Sequence, residues 1–393
     1  MNSLLNKNLE LKGKKVIVRV DLNVPMKNRT ITETSRIKKI LPTLKLLIEK
    51  EAKIIILSHI GRPKGKIISE MSLEPISKKL SQYLNKEVLF NKNQISENTV
   101  SEINKISNGS VIMLENIRFN EGEETNNEEF SKKISNLGDI YINDAFSCSH
   151  RSHASIEGIT KHIPSYFGLQ IMKEINALKK ITSEIKKPVT LIIGGSKIST
   201  KIKIINNLIK KFNNIIIVGG MANTMLRHTG IKVGKSICEQ DCGSLIKEII
   251  ENSIKYSCKI TYPVDVVVSQ SLNGKGKVKE INEIKDDDII LDIGFETIAK
   301  IKNIIDNSNT VLWNGPAGYY ENSNFANGTK EIIRIITDKT FKDKIFSVAG
   351  GGETVAVINK FNKLDSFTFV STAGGAFLEF LEGKELPGIK ALN

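Results

Sequence analysis

Residues 345–357 read IFSVAGGGETVAV, an apolar run that breaks into three glycines and then offers Glu353 and Thr354 before turning apolar again. The run before the glycines has strand character and the run after them can wind into a helix. Gly351 and Gly352 would then occupy a strand-to-helix turn, whose outward N–H groups carry partial positive charge and suit a phosphate. A lone glycine turn also serves tight geometry and binds nothing. Four more segments repeat the pattern: PVTLIIGGSK (188–197), NNIIIVGGMAN (213–223), NTVLWNGPAG (309–318) and FTFVSTAGGA (367–376). Five glycine clusters at successive strand ends argue for close backbone approach to a bulky phosphorylated ligand. Lys197 and Lys201 stand four apart behind Gly194 and Gly195, so a helix beginning there would carry both on one face. Two such cations would neutralise a moving phosphoryl group. Glu321, just past WNGPAG, is either an acceptor for ribose hydroxyls or an ordinary surface carboxylate.

The first half carries a different chemistry. Arg19, Arg36, Arg62, Arg118 and Arg151, with His59, His150 and His153, lie in or beside its strand-end segments. Any one of these arginines alone reads as solvated surface charge. Converging on one sheet edge, they form a basket for a small, highly anionic molecule, since a guanidinium can fork onto a phosphate or carboxylate. Asp21 and Asn23 add an acceptor and an amide. The pair of histidines in HRSH (150–153) is a poor metal site, with Arg151 between them and no cysteine pair beside them. TGIKVGKS (229–236) is not a phosphate-binding Walker loop, because its glycines enclose three residues where that loop needs four.

These residues need a frame. A chain of 393 residues exceeds the roughly 250 to 300 at which single cores stop growing, so two domains are expected. The strand-like runs KKVIVRVDLNVP (14–25), AKIIILSHIGRP (52–63), GSVIMLENIRF (109–119) and GDIYINDAFSCSHRSH (138–153) alternate with helical patterns at 35–50 and 74–86. Such alternation implies parallel βαβ units, whose ligands gather at the carboxyl ends of the strands. We therefore expect an α/β protein of two doubly wound, Rossmann-like parallel-sheet domains joined by a hinge, divided by a helix near 170–187. The net charge of +14 comes mostly from dispersed lysine, and aromatics are only 6% of the chain, so no nucleic-acid partner is expected. The start MNSLLNKNLELKGKK has no apolar export signal and no run approaches about 20 apolar residues, so we expect a cytoplasmic protein without a membrane span. Four scattered cysteines imply buried thiols, with no disulfide framework.

From about Leu11 to the C-terminus the chain resembles the phosphoglycerate kinase family. VRVDLNVP, SHIGRP, LENIRF, NDAF followed by HRSHAS, IGGSKISTK, YPVD, WNGPAG, AGGGET and STAGGAFLEFLEGKELPG are similar to that family's motifs and follow its order. The resemblance implies a 3-phosphoglycerate domain at 1–169, a hinge helix at 170–187, a nucleotide domain at 188–372, and a segment 373–393 that packs back on the first. It implies transfer of the acyl phosphate of 1,3-bisphosphoglycerate to ADP by a monomer, with Mg2+ accompanying ADP or ATP. Matched by motif, Asp21, Asn23, Arg36, His59, Arg62, Arg118 and Arg151 hold the phosphoglycerate. Arg36, Lys197, Gly374 and Gly375 serve the transferring group. Gly194, Gly195, Lys197, Lys201, Gly219, Gly220, Asn314, Pro316, Glu321, Gly351, Gly352, Glu353 and Thr354 hold the nucleotide, with Glu353 facing its magnesium.

The chain departs from the family's pattern in places. Glu353 stands where Asp is usual, and Ala373 replaces a Gly at a turn where backbone freedom is expected to matter. Ser147 and Cys148 replace a Gly-Thr pair, Phe295 follows DIG in place of Pro, and Thr200 takes the place of an Asp. The Glu353 and Ala373 changes motivate an alternative, a nucleotide-binding homologue with impaired transfer. A third reading, from the charge alone, is a polyanion-binding protein.

Overall fold

The computed structural model describes residues 3–4, 9–342 and 344–393; the remaining N-terminal residues and Asp343 lie outside the description. The chain divides into two compact units, Met1–Asn176 with Glu385–Asn393, and Ala177–Lys384. Of the segment 373–393, residues 385–393 thus belong to the first unit and 373–384 to the second.

The first unit contains β1 (Lys15–Val20), a small hairpin of β2 (Met26–Lys27) and β3 (Thr30–Ile31), β4 (Lys53–Leu57), β5 (Val88–Asn91), β6 (Val111–Leu114), β7 (Ile140–Asp144) and β8 (Ser165–Phe167). All but the hairpin form a parallel sheet in the order β5-β6-β4-β1-β7-β8. Its strands are apolar on both faces because helices cover both. Along β1, Val16 and Val18 enter one core with Ile37, Leu44 and Leu47 of the helix Ser35–Glu49. Ile17, between them, points to the other core with Ile103, Ile134 and Tyr141. The period of two along the strand therefore feeds two helical layers. The chain's last residues close against the end of β7, where the Gly388 N–H donates to the Ser149 carbonyl at 2.9 Å. A Cβ on Gly388 would come within 3.0 Å of Ser149 Cα, so only glycine allows that approach.

The second unit contains β9 (Val189–Ile193), β10 (Asn214–Ile217), β11 (Lys259–Thr261), β12 (Asp265–Ser269), β13 (Lys277–Glu280), β14 (Ile289–Ile293), β15 (Thr310–Asn314), β16 (Phe346–Gly350) and β17 (Phe369–Ser371). Its main sheet is parallel, in the order β11-β10-β9-β15-β16-β17. From β9 the chain steps outward through β10 to β11, then restarts beside β9 at β15 and steps the other way. The crevice beyond the carboxyl ends of β9 and β15 is thus the topological switch point, where ligands of such sheets bind. A separate antiparallel sheet, β13-β12-β14, was not foreseen in the sequence. The two doubly wound parallel sheets are those expected. Among the described residues no helix is long and apolar enough to cross a membrane. All four cysteines are free; Cys148, Cys242 and Cys258 are buried and Cys238 is half-buried.

Candidate active site

In the first unit, four strands deliver polar residues to one edge. Asp21 and Asn23 follow β1, His59 follows β4, Arg118 lies in the single turn Ile117–Phe119 after β6, and Ser147 and Cys148 lie in the turn Phe146–Cys148 after β7. Arg36 is the second residue of the helix Ser35–Glu49. Its Nη1 donates to Asp21 Oδ2 at 2.5 Å and to the Asn23 carbonyl at 3.2 Å. The Ser147 hydroxyl donates to the same Asp21 oxygen, and the Asn23 N–H donates to Asp21 Oδ1 at 3.0 Å. Asn23 Oδ1 accepts from the Gly61 N–H at 3.0 Å, while Arg118 Nη1 donates to the Gly61 carbonyl at 2.8 Å. One hydrogen-bonded path thus joins Asp21, Asn23, Arg36 and Arg118 through the backbone that carries Arg62. Arg62 and Arg151 are exposed, and their guanidiniums have no partner among the described residues.

The charges of this edge set each other. Burial pushes the Asp21 carboxyl up, but Arg36, His59 and the Ser147 hydroxyl more than offset it, so Asp21 titrates below its ordinary range. His59 titrates well below its ordinary value, through burial first and then the neighbouring Arg19, with Asp21 opposing. Arg19 Nη2 lies 3.1 Å from His59 Nδ1, and a guanidinium can only donate. His59 is therefore a neutral imidazole with its proton on Nε2. Among the described residues, Asp21, His59 and Cys148 are the one group whose ligand atoms could meet at a metal, within 4.8 Å of one another. Arg19, Arg36 and Arg118 act on this group electrostatically, so the local field favours an anion.

Two residues expected in the basket are interior instead. Arg19 is fully buried, its Nε donating to Ser155 Oγ at 2.8 Å. Ser155 passes its N–H and hydroxyl to the buried carboxylate of Glu123, at 2.9 and 2.6 Å. His153 Nδ1 stands 3.7 Å from Glu123 Oε1. Glu123 is thus an internal counter-ion for Arg19 through Ser155, with His153 beside it, while His150 is half-buried. Glu123 escaped the sequence reading because it sits in the charged run EGEET, which reads as solvated surface. The signal that could have found it was Gly122 beside it, which leaves no room for a Cβ against Phe130, at 2.6 Å.

In the second unit, the turns after β9 and β15 press backbone on backbone. A Cβ on Gly194 would stand 2.4 Å from the Pro316 carbonyl oxygen, and one on Gly315, whose φ is +105°, would stand 2.3 Å from the Gly194 oxygen. Lys201 Nζ bridges the two turns, donating to the Gly194 carbonyl at 2.7 Å and to Asn314 Oδ1 at 2.5 Å. Asn314 Nδ2 donates in turn to the Gly350 carbonyl at 2.6 Å, and the Gly315 N–H donates to Thr354 Oγ1 at 2.7 Å. Gly194, Asn314 and Thr354 are therefore spent on internal bonds. Gly351 has φ +98° and no space for a Cβ, whereas Gly352 and Gly374 face open space. Gly375 opens the helix Gly375–Leu381.

Lys197 and Lys201 do not share a helical face, because residues 197–201 form a turn and the helix begins at Ile202. Lys197 is exposed; Lys201 is half-buried, and its burial, with Glu353 opposing, lowers its ammonium pKa to about 8. Ala373 is absent from the residues with positive φ, so the backbone freedom expected to matter there is not used. A cavity of about 250 Å³ opens at the switch point, lined by Gly195, Gly219, Gly220, Pro316, Glu321 and Glu353. Its apolar wall, which includes Ile237, Val266, Leu272, Leu291 and Tyr320, was missed in the sequence. The wall depends on the antiparallel β12 and β14, whose short runs gave no parallel-sheet pattern.

The family described as Phosphoglycerate kinase matches residues 6–384. The phosphoglycerate kinase of Xanthobacter flavus is 44% identical over 387 residues, covering 98% of this chain and 97% of that protein. That of a Wolbachia pipientis strain is 45% identical over 381 residues, covering 96% of each. The structure of phosphoglycerate kinase from Coxiella burnetii superposes with a TM-score of 0.91 at 39% identity, covering 98% of this chain and 97% of that one. That from Pyrococcus horikoshii OT3 gives 0.83 at 30% identity, covering 100% and 98%.

Glu123→Ala should destabilise the protein by about 3–5 kcal/mol in chemical denaturation, because Arg19 keeps its burial and loses its counter-charge. A loss under about 1 kcal/mol would mean that Ser155 alone satisfies the guanidinium. A nucleotide phosphate held at Lys201 would be attracted by its protonated form and not by its neutral form, so ADP affinity should fall as pH rises through about 8. Titrations between pH 7 and 9 should show this limb in the parent and its absence in Lys201→Arg.

Proposed function

The chain belongs to the phosphoglycerate kinase family, and on that premise we propose how its residues carry the reaction. The reaction is the reversible transfer of the acyl phosphate of 1,3-bisphosphoglycerate to ADP, giving 3-phosphoglycerate and ATP, and the enzyme is a phosphotransferase of glycolysis. The observation that carries the assignment of roles is the cationic network at the edge of the first sheet, where Asp21 orients Arg36 and the Gly61 backbone holds Asn23 and Arg118. Phosphoglycerate is held there by Asp21, Asn23, Arg36, His59, Arg62, Arg118 and Arg151. Neutral His59 contributes hydrogen bonding and no charge. The cavity at the switch point of the second sheet takes the nucleotide, with Gly219, Gly220 and Pro316 against the adenosine and Glu321 toward the ribose. Gly195, Gly351, Gly352 and Lys201 face the phosphates.

A loose phosphoryl transition state spreads negative charge over its equatorial oxygens, so alignment and cationic donors supply most of the catalysis. Arg36 and Lys197 fill that role, with the amide groups at Gly374 and Gly375. The acceptor oxygen of ADP is already ionised and the leaving group is a carboxylate, so no side chain need act as a general base. With phosphoglycerate on one domain and nucleotide on the other, an in-line transfer requires a closing motion that also excludes water. The segment 170–187, whose helix runs Leu169–Thr182, and the segment 371–376, which links β17 to the helix Gly375–Leu381, are the hinge elements of this proposal.

Magnesium fits the nucleotide site. The Glu353 carboxylate lines the cavity and makes no hydrogen bond or close ion pair among the described residues, which suits a hard cation that prefers oxygen ligands. When bound, the metal would offset the charge of the phosphate oxygens. Family membership supports a cytoplasmic monomer acting on small molecules. Nothing favours an impaired homologue, since Ala373 takes an ordinary backbone conformation and the charged groups of the first edge are all present.

In an assay coupled to MgATP consumption with 3-phosphoglycerate, the parent should turn over, and Arg36→Ala or Lys197→Ala should each lower kcat by roughly 10² or more. Retention of most activity by either variant would remove that residue from the transition state. Glu353 is one methylene longer than Asp, which shifts its carboxylate by about 1.5 Å against a metal of strict geometry. Glu353→Asp should therefore use MgADP at lower concentration than the parent; equal or poorer use would refute that argument.

A further inference from the structure

Lys197 rides on a turn that is exposed apart from the buried Ile198, and such a turn needs more than one anchor if its lysine is to meet a transition state in one place. Within the turn, Thr200 Oγ1 donates to the Lys197 carbonyl at 2.8 Å and the Lys201 N–H donates to the Ile198 carbonyl at 3.0 Å. Among the described residues, one side chain from elsewhere in the chain hydrogen-bonds residues 196–200, and it is Glu239. Its Oε2 accepts from the Ser199 N–H at 2.9 Å and its Oε1 from the Ser199 hydroxyl at 2.5 Å. The Ile198 N–H and the Cys242 thiol also favour its ionised form. Burial pushes the Glu239 carboxyl up, but the hydrogen bonds from Ser199 and the other donors beside it outweigh this, so it titrates below its ordinary value.

Glu239 is itself fixed to the nucleotide cavity. Its N–H donates to Thr224 Oγ1 at 3.1 Å, and Asn223 Nδ2 donates to the Ile237 carbonyl at 3.1 Å. Asn223 and Ile237 both line the cavity. Thr224 and Asn223 lie on the helix Gly219–His228, whose first glycines form the cavity's floor.

We propose that Glu239 is a positioning residue, a bidentate clamp on Ser199 that fixes the turn carrying Lys197 relative to the bound nucleotide. The clamp acts through Lys197, so this inference rests on the role given to that lysine above. A carboxylate suits the task because it accepts two donors from one residue, an N–H and an O–H, and so fixes the turn in rotation as well as in distance.

The test is a double-mutant cycle read on kcat and on the KM for MgATP, with thermal unfolding of each variant as a control. A 1 Å misplacement can cost about 10²-fold, so Glu239→Ala should lower kcat by about 10- to 100-fold and change the nucleotide KM less than about threefold. Ser199→Ala, which removes one donor and is the milder change, should lower kcat by a smaller factor. Combined with Lys197→Ala, Glu239→Ala should add almost no further loss, because there is then no ammonium to position. Independent, multiplicative losses in Glu239→Ala and Lys197→Ala would overturn the clamp, as would an unchanged kcat in a folded Glu239→Ala or Ser199→Ala. Should Glu239→Ala fail to fold, Ser199→Ala in the same cycle decides it. An unchanged kcat in Lys197→Ala alone would instead refute the role of the lysine on which the clamp depends.

Discussion

At the switch point of the second sheet two backbone turns meet with no side chain between them, and that approach constrains everything around it. Gly194 admits the Pro316 carbonyl, and Gly315 the Gly194 carbonyl, at distances that a Cβ would forbid. The carbonyl and the amide oxygen exposed by that contact are the two acceptors of Lys201. Asn314, fixed by the same ammonium, reaches the Gly350 carbonyl and occupies the space a Gly351 side chain would need. Thr354 then caps the Gly315 N–H. Three strand ends are locked by one lysine and one asparagine. The glycine turn at 351 therefore has its conformation set before any ligand arrives.

The first unit solves the same problem with side chains. Its edge collects arginines that would repel one another, and the three that are not exposed are each given a local acceptor. Arg36 has Asp21 and the Asn23 carbonyl, Arg118 has the Gly61 carbonyl, and Arg19 has Ser155 with Glu123 behind it. Burying Arg19 beside His59 has a chemical effect. With burial it keeps the imidazole neutral, and it sets the tautomer, so the pocket's positive charge comes from guanidiniums and not from His59. A carboxylate removed from this arrangement would leave a cation without compensation in a site that water barely reaches.

Much of this was legible in the residues. The β-branched runs from Lys15, Lys53, Val111 and Ile140 became strands because covering both sheet faces demands continuous apolar sequence, and the polar residues after each run fell on the ligand edge. What failed to show was anything that depends on packing across the chain. Arg19 is bound inside by Ser155, more than a hundred positions away, which nothing near it in the chain announces. Glu123 looks solvated in its acidic run. Gly194 and Gly352 look alike as glycines, yet one is pressed against another backbone and the other is open. The spacing of Lys197 and Lys201 suggested a helix, but the turn that precedes Ile202 takes both lysines. The wall of the cavity came from short strands and an antiparallel sheet, for which a reading tuned to βαβ repeats has no template.

The cations of the two sites fall into two physical classes, and the division bears on how catalysis is built. Arg36, Arg118 and Lys201 are tethered to protein acceptors, so their orientation is fixed in advance and no ordering is needed when a ligand binds. Arg62, Arg151 and Lys197 are exposed, and their long side chains lose rotamer freedom only when an anion holds them. A tethered cation gives its field to the ground state and the transition state alike, except where charge moves toward it. An exposed cation on a rigid turn contributes most when the moving phosphoryl group comes within reach, which favours the transition state over the bound substrate. In the role proposed for Lys197, rigidity of the turn is then the property that matters. The loop after β9 draws it from the Thr200 and Lys201 bonds within the turn, from the buried Ile198, and from Glu239, which holds Ser199 from outside.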